Sequence, residues 1–255
     1  MPKFSTLFCL PSFNRVPLTR SSSDAAFNQT EPLLQLWAAF FGILLFGTFI
    51  LYTQGVWASL WAADPTYLTA LIVVLFFGAT IWVGRRANTL SYEYQQFVQF
   101  EQILNHKKVD ALTWLQQSPS SWAKEFFLNL YKKGDQWRDN AQLSALLGEK
   151  ASSAHEMAWW VNGVLLKLGL LGKVIGFSIM AIQLGSLESF DAGQTSAVLK
   201  TLTGGLGIAL LTTMTGLTAN ILLGLQLMRL DRFADTLTAK AIKIAEVDLG
   251  EMIQS

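Results

Sequence analysis

Apolar residues occur in four long blocks along the chain. The first two blocks, Leu33–Thr53 and Thr66–Gly84, contain no charged residue, and the last two cover roughly Trp159–Gly185 and Leu202–Met228. A helix that rises ~1.5 Å per residue crosses the ~30 Å hydrocarbon core of a bilayer with about 20 residues. The pattern therefore predicts an all-α membrane protein with four transmembrane helices.

The segments that follow the second and fourth blocks show a helical period. Ser121 has a side chain suited to a helix N-cap, and apolar residues recur on one side of the chain after it. A helix that begins near Asn140 is expected to continue without a break into the third block, and the fourth block continues into a C-terminal stalk. We therefore expect long helical extensions beyond the membrane. Their apolar positions are Trp122, Phe126, Phe127, Leu130 and Tyr131 after Ser121, and Leu230, Phe233, Leu237, Ala241 and Ile244 in the stalk.

Lysine and arginine are distributed unevenly outside the blocks. Residues 54–65 and 186–198 contain neither, whereas the N-terminal tail, the long middle segment and the stalk are basic. The positive-inside rule therefore predicts that both termini and the middle segment are cytoplasmic. Because Cys9 is the single cysteine, an intrachain disulfide is excluded.

The four blocks differ in the size of their side chains. The first two are rich in Leu, Phe and Ile and are expected to face lipid, whereas the last two are rich in small residues and are expected to face protein. Small residues allow membrane helices to approach closely. The residues that share one such face are Gly169, Gly172 and Gly176 in the third block, and Ala209, Thr213, Gly216 and Asn220 in the fourth.

Polar side chains at membrane depth are few. Lys173 lies in the third block and Thr212 and Thr213 lie in the fourth, while no block contains an aspartate or glutamate. A polar group in hydrocarbon is costly and commonly lines a path or a helix contact. Threonine hydroxyls also bond carbonyls of their own helix, so helix packing is the alternative role for both threonines. If protons or sodium ions cross here, an acidic carrier must come from another chain.

The segments Leu168–Phe177 and Ile208–Leu217 resemble the MotA/TolQ/ExbB proton-channel superfamily. The superfamily has a Gly-Leu-Leu-Gly-Thr-Val-Ile-Gly type string in the first segment and an Ala-Leu-x-Thr-Thr-x-x-Gly-Leu type string in the second. The resemblance extends over about Ser153–Val247. Four spans with both ends inside resemble the flagellar-stator branch, whereas the strings are closer to the ExbB-like branch, so the branch stays open.

The resemblance implies a homopentamer of this chain around two copies of a B-type subunit, which has a single membrane helix with an essential aspartate and a periplasmic domain. It also implies a rotary motor or stator in the bacterial cell inner membrane, surrounded by lipids. H⁺ or Na⁺ would cross between the two kinds of subunit, with no cofactor. Thr213 matches the threonine near the partner's aspartate, Thr212 precedes it, and Gly172 and Gly176 match glycines of the first string.

Lys173 departs from the superfamily, whose members often have a pore threonine at this position. One explanation is that Lys173 pairs with the partner's aspartate and opposes cation entry. Another is that its aliphatic stem extends toward the cytoplasm and carries the charge out of the hydrocarbon. A third is that the lysine is an introduced substitution. The resemblance thus assigns Thr213, Thr212 and Lys173 to the ion pathway.

The expected organisation of the chain has five parts. The inner pair of spans would line the pore and the outer pair would surround it, with the polar segments in the cytoplasm. The parts are a cytoplasmic tail (1–31), two peripheral spans (32–84), a cytoplasmic helical region (85–156), two pore-lining spans (157–229) and a cytoplasmic C-terminal helix (230–255).

The sequence gives little indication of other functions. We find no catalytic motif, metal-ligand cluster or dinucleotide fingerprint, so we expect neither an enzyme nor a metal site nor a nucleic-acid partner. His106 and His155 lack metal-ligating neighbours and are expected at the surface. The alternative hypothesis is a non-conducting membrane scaffold of the same fold, with the pore closed by Lys173. A small-molecule transporter is disfavoured, because we find no internal repeat or broken helix.

Overall fold

The computed structural model describes residues 33–64, 66–106, 113–115, 118–133, 140–185 and 195–248, and these residues are helical nearly throughout. The predicted N-terminal tail, residues 1–31, lies outside the described residues. In chain order the helices are α1 (Leu33–Thr53), α2 (Val56–Ala63), α3 (Leu68–His106), α4 (Trp122–Lys132), α5 (Ala141–Gly185) and α6 (Thr195–Lys243), with a π-helical turn at Ile244–Asp248.

Four of these helices, α1, α3, α5 and α6, are long and apolar enough to cross a membrane. The 39, 45 and 49 residues of α3, α5 and α6 correspond to ~58, ~68 and ~74 Å of helix, about twice the hydrocarbon core or more. Only part of each can therefore lie in the bilayer, and we assign Leu68–Gly84, Trp159–Gly185 and Leu202–Met228 as the spans of these three helices. The prediction of unbroken helices through the third and fourth spans is confirmed.

Residues 54–65, which connect the first two spans and contain no lysine or arginine, include the short helix α2. Gly55 precedes α2 with a φ of 72°, a left-handed conformation that glycine adopts without a steric penalty. This turn folds α2 back toward the end of α1, where the Trp57 indole donates to Thr48 O at 3.3 Å. The charge pattern of this segment indicates its side of the membrane but carries no helix period that would distinguish a short apolar helix from a loop.

α3 packs against α6 along one side. The two helices run in the same direction, because Thr80 contacts Gln226 and, further along both helices, Glu101 pairs with Lys240 at 2.8 Å. Gln226 Nε2 donates to Thr80 Oγ1 at 3.3 Å, and both side chains are buried. The prediction that the second span faces lipid is therefore wrong for this side of α3. α1 differs, because most of its surface is exposed. The buried residues of the second span include Ile72, Phe76, Thr80 and Val83.

Beyond the membrane, α4 and the extensions of α3, α5 and α6 pack around an aromatic core. The rings of Phe100 and Phe127 stack with their centroids 4.1 Å apart. Ser121 caps α4 as predicted and accepts from Lys124 N at 3.2 Å. Tyr131 was expected on the apolar side of this helix but is exposed. The stalk positions Leu230, Leu237, Ala241 and Ile244 are buried, and Phe233 is partly buried.

Candidate functional site

α5 and α6 pack side by side and run in opposite directions. Gly169 lies against Gly216 and Gly176 lies against Ala209, so residue numbers rise along one helix as they fall along the other. The two motif segments of the sequence thus pack against each other. We call this contact the α5–α6 seam, and its members are Gly169, Gly172, Gly176, Gly205, Ala209, Thr212, Thr213 and Gly216.

The seam has no room for larger residues at its glycines. A Cβ atom on Gly216 would lie 2.8 Å from Gly169 Cα, and one on Gly176 would lie 2.8 Å from Ala209 N. Both distances are shorter than the ~3.5 Å of a favourable contact between carbon atoms. The neighbouring atoms belong to backbone, which cannot rotate away as a side chain can. The glycines therefore set the distance between the two helices.

Thr212 is completely buried in the seam. Its side chain occupies the space beside Gly172, where a Cβ atom would overlap the threonine hydroxyl. The hydroxyl donates to Ile208 O of its own helix at 2.8 Å, so its hydrogen-bonding need is met within the protein. The structure thus places this candidate ion-pathway residue inside a helix contact.

Thr213 is half-buried and connects the two helices. Its hydroxyl is 2.8 Å from Ala209 O in its own helix and 3.2 Å from Gly169 O in α5. A hydroxyl has one proton to donate and two lone pairs that accept. Thr212 is fully buried, whereas the side chain of Thr213 is partly accessible. It can therefore accept a hydrogen bond from a neighbouring group while it remains bonded in the seam.

Asn220 extends the polar link between α5 and α6 toward the basic end of the spans. Its Nδ2 donates to Asn162 O at 2.8 Å. Asn162 is itself buried, and a Cβ atom on Gly224 would lie at an ordinary contact distance of 3.4 Å from its Nδ2. Hydrogen bonds from side-chain amides help to hold membrane helices together, because lipid tails are as apolar as the helices and hydrophobic burial adds little to helix association. Asn220 thus has a packing contact, as its face on the helix predicts.

Lys173 directly follows Gly172, but its side chain lies outside the seam on the exposed surface of α5. It is ~21 Å along the helix from Trp159 and ~18 Å from Gly185, which is close to the middle of the span. Its Nζ lies 6.0 Å from the centroid of the Phe177 ring, one turn further from the basic end of the helix. The ammonium group thus extends away from the predicted cytoplasmic side.

A buried polar cluster lies just beyond the spans, and the sequence did not predict it. His155 is 2% exposed, so the prediction that it lies at the surface is wrong. Its Nδ1 is 2.6 Å from Asp231 Oδ1, and Asp231 Oδ2 accepts from Trp159 Nε1 at 2.8 Å. Burial lowers the pKa of the His155 imidazole, and the contact with Asp231 offsets this only in part. We conclude that a neutral imidazole donates its Nδ1–H to the carboxylate. The side chain of His106 lies outside the described residues.

The sequence contains a signal that would have located His155. Buried residues of α5 recur at intervals of three or four along the helix, so the glycine face continues toward the N-terminus. His155 lies on that face, although it looks isolated when only metal-ligating neighbours are considered. The buried residues are Ser144, Leu147, Ala151, His155, Ala158, Asn162, Leu165, Gly169, Gly172 and Gly176.

Two charged residues of α3 contact other helices beyond the spans: Arg86 contacts α5 and Glu93 contacts α4. Arg86 Nη2 donates to Lys150 O and Ala151 O of α5, both at 3.0 Å. Glu93 Oε2 accepts from Trp122 N at the start of α4 at 2.7 Å. Burial raises the pKa of the Glu93 carboxyl. Charged groups of α3 therefore hold the extension of α5 and the start of α4 beyond the spans.

The seam offers hydroxyl and carbonyl oxygens but no group that exchanges a proton near neutral pH. Hydroxyls and carbonyls can solvate a cation or relay a hydrogen bond, but they cannot carry a proton alone. Within the described residues, no three His, Cys, Asp or Glu side chains are grouped to hold a metal ion. The arrangement therefore suits a partner that brings its own ionisable group.

Comparison with known proteins gives no match, either to a family model, to a curated protein or to a solved structure. The likeness to the MotA/TolQ/ExbB superfamily therefore rests on the two segments that form the seam.

Proposed function

We propose that this chain is the ring-forming subunit of an ion-driven motor in the bacterial inner membrane, a member of the MotA/TolQ/ExbB superfamily. The observation that supports this most directly is the packing of the two motif segments against each other in an antiparallel pair of membrane helices. In the superfamily that the two segments resemble, such a pair would line a pore, and the long extensions of α5 and α6 would give the pore a cytoplasmic base.

The working unit would be five copies of this chain around two copies of a single-span partner. The face of α6 that points away from the seam is apolar and exposed over the length of the span, so it is available to a neighbouring subunit, to the partner's helix or to lipid. The exposed residues of this face include Leu206, Leu210, Met214, Leu217 and Ile221.

The partner's membrane aspartate would supply the carboxylate that the seam lacks. Thr213 would contact this aspartate as it takes up and releases H⁺ or Na⁺. Each unit charge that crosses gains ~2.3 kcal/mol per 100 mV of membrane potential, so a few ions suffice for a mechanical step. The output would be rotation that performs work on the periplasm or the cell wall.

Lys173 would regulate this cycle by its charge. Two unit charges ~4 Å apart interact with ~4 kcal/mol at an effective dielectric constant of 20. A lysine at that distance would hold the aspartate in its charged form and repel an entering cation. The mid-membrane position of Lys173 on an exposed surface favours such a contact over an unpaired charge in hydrocarbon.

The first test is the native mass of the complex after co-expression with an adjacent gene for a single-span membrane protein and purification in mild detergent. We expect five copies of this chain and two of the partner. A monomer, a dimer or an even-numbered ring without the partner would contradict the motor.

The second test is ion flux in vesicles that contain the complex. Thr213→Ala is expected to abolish flux, whereas Thr215→Ala should retain it, because the Thr215 hydroxyl donates within its own helix, to Leu211 O at 2.9 Å. Lys173→Thr is expected to raise flux. Unchanged flux in this variant would rule out the regulatory role of the lysine while leaving the motor in place.

The position of Lys173 also supports a second candidate, a non-conducting scaffold of the same fold. Five lysines at one level of a ring would form an electrostatic barrier to cations, and the helices beyond the membrane would then recruit partners. A scaffold should form the ring but show no flux in the native protein, and it should tolerate Thr213→Ala without loss of its phenotype. These results would separate it from the motor.

A further inference from the structure

An apolar cavity lies between α1, α3 and α6, away from the seam. Its volume is about 290 Å³, close to the lower end of the range for pockets that hold small molecules. Side chains from all three helices form its wall. The lining residues on which the argument below depends are Leu33, Trp37, Ala39, Ile43, Gln226 and Arg229.

The cavity extends from one membrane interface into the hydrocarbon. Leu33 begins α1, Arg229 follows directly after the assigned span of α6, and Ala87 lies three residues beyond that of α3, so these residues mark the interface. Ile43 lies ~15 Å further along α1, which is about half the thickness of the hydrocarbon core. The cavity therefore covers the depth that the acyl chains of one bilayer leaflet occupy.

The chemistry of the wall changes along this depth. Arg229 is the one charged residue in the described lining, and it lies at the interface end. The deeper wall is formed almost entirely by apolar side chains. Gln226 is the polar exception, and it is buried with its amide donating to Thr80 and Leu222. A guanidinium at the headgroup level above an apolar slot matches a molecule with a phosphate at one end and a hydrocarbon chain at the other.

We propose that this cavity binds an anionic phospholipid, with its phosphate at Arg229 and one acyl chain in the apolar part. This site goes beyond the proposed motor function and does not depend on it. The wall is preformed, because the Trp37 ring packs over Gly84 and stacks on Phe41 with the centroids 5.1 Å apart. α1 leaves most of its surface exposed, so a lipid between α1, α3 and α6 would fasten this helix to the rest of the protein.

Two neighbouring alanines of α1 provide a matched pair of variants. Ala39 lines the cavity and Ala38 does not, while both are exposed on the same helix turn. Ala39→Trp should fill the slot, and Ala38→Trp should add the same ring to the lipid-facing side. The two headgroup variants are Arg229→Gln, at the mouth of the cavity, and Arg232→Gln, an exposed arginine that is not part of the lining.

The experiment measures the lipid that stays with each purified protein after extraction from vesicles of phosphatidylglycerol and phosphatidylethanolamine. We expect native mass spectrometry to find phosphatidylglycerol retained by the native chain and by Ala38→Trp, and lost from Ala39→Trp. Arg229→Gln should lower the preference for phosphatidylglycerol about fivefold, the order expected for one basic residue near an anionic headgroup. Arg232→Gln should keep the native preference. Circular dichroism and gel filtration show whether each variant is folded.

Three results would overturn the site. Equal lipid retention in the two tryptophan variants would show that the cavity holds no acyl chain. An equal headgroup preference in the two glutamine variants would show that Arg229 does not bind the lipid phosphate. Displacement of the lipid by millimolar inorganic phosphate would show that the contact is made to a free anion, since an acyl chain in the slot should resist that competition.

Discussion

At the residue scale, Gly176 and Gly216 are constrained in a way that Gly163 and Gly207 of the same helices are not. A Cβ atom at either position would meet backbone at 2.8 Å, whereas at Gly163 of α5 and Gly207 of α6 nothing lies within 4 Å. Gly176→Ala or Gly216→Ala should therefore separate the helices and lower the free energy of unfolding by ~1–3 kcal/mol, the usual effect of overpacking. Gly163→Ala and Gly207→Ala should be neutral or stabilising, because alanine favours a helix by up to ~1 kcal/mol over glycine.

Thermal unfolding of the four variants in one detergent measures these differences. Gly176 and Gly163 lie in α5, and Gly216 and Gly207 lie in α6. Within each pair the same methyl group is added to the same helix, so its effect on helix propensity cancels in the comparison. Equal stability of all four proteins would contradict the close approach of α5 and α6 at this seam.

His155 makes a pH-dependent contribution to stability. Burial lowers its pKa in the folded protein below the ordinary value of 6.5, so the unfolded chain binds the proton more tightly. The stabilisation is complete above pH 6.5 and is lost as the pH falls through the lower pKa of the folded state. The surrounding charges act in both directions, since Asp231 and Asp235 favour the protonated imidazole and Arg86 opposes it.

Unfolding temperatures of the native chain and of His155→Gln, measured from about pH 8 to about pH 5, test this assignment. The native protein should lose stability over the acidic part of the range, and the substitution should flatten that loss. Because the chain has only two histidines, His106→Gln serves as a control that leaves His155 as the only imidazole. A pH profile that is unchanged in His155→Gln would assign the transition to carboxylates instead.

At the scale of the element, α4 is held at its first turn by a carboxylate from another helix. Glu93 accepts from Trp122 N at 2.7 Å and is buried, whereas Glu125 pairs with Lys150 at the surface. Glu93→Ala should leave a buried N–H group without an acceptor, which costs ~1–3 kcal/mol. Glu125→Ala removes an exposed ion pair, which contributes ~0–1 kcal/mol.

Amide hydrogen exchange of α4 distinguishes the two effects locally. Exchange in the first turn of this helix should accelerate in Glu93→Ala and stay near the native rate in Glu125→Ala. The same acceleration in both variants would show that α4 is held mainly by the aromatic core behind it.

The sequence predicted those elements that can be recognised from their own residues, without knowing which other helices they contact. The four apolar blocks and the Ser121 cap required no knowledge of neighbours, and the glycine spacing marked the face of α5 that forms the seam. The buried side of the second span could not be predicted, because a helix that is apolar on every side marks no face. His155 lies on the continuation of that glycine face, so its burial could have been predicted, whereas its contact with Asp231 of α6 could not. The adjacent Thr212 and Thr213 are likewise equivalent in sequence, and only the register of α5 against α6 separates a fully buried hydroxyl from a half-buried one.

At the scale of the whole molecule, the orientation of all four spans in the membrane follows once one end of any span is assigned to a side of the membrane. The basic residues that follow the second and fourth spans, Arg86 and Arg229 among them, lie at the same end, because α3 and α6 run in the same direction. Moving these charges across a bilayer is strongly disfavoured, and loops rich in lysine and arginine remain in the cytoplasm. We therefore expect this end, with both termini, to be inside the cell.

A membrane-impermeant maleimide tests this orientation, because Cys9 is the only natural cysteine. In intact spheroplasts the reagent should leave Cys9 unlabelled and should label Ser189→Cys in a Cys9→Ser background, since residues 186–198 contain no basic residue to retain them. Glu246→Cys in the same background should behave like Cys9. After permeabilisation all three proteins should react, which controls for a thiol that is simply unreactive. Labelling of Cys9 or Glu246→Cys in intact spheroplasts would invert the topology, and with it the assignment of the polar contacts around His155 and Arg86 to the cytoplasm.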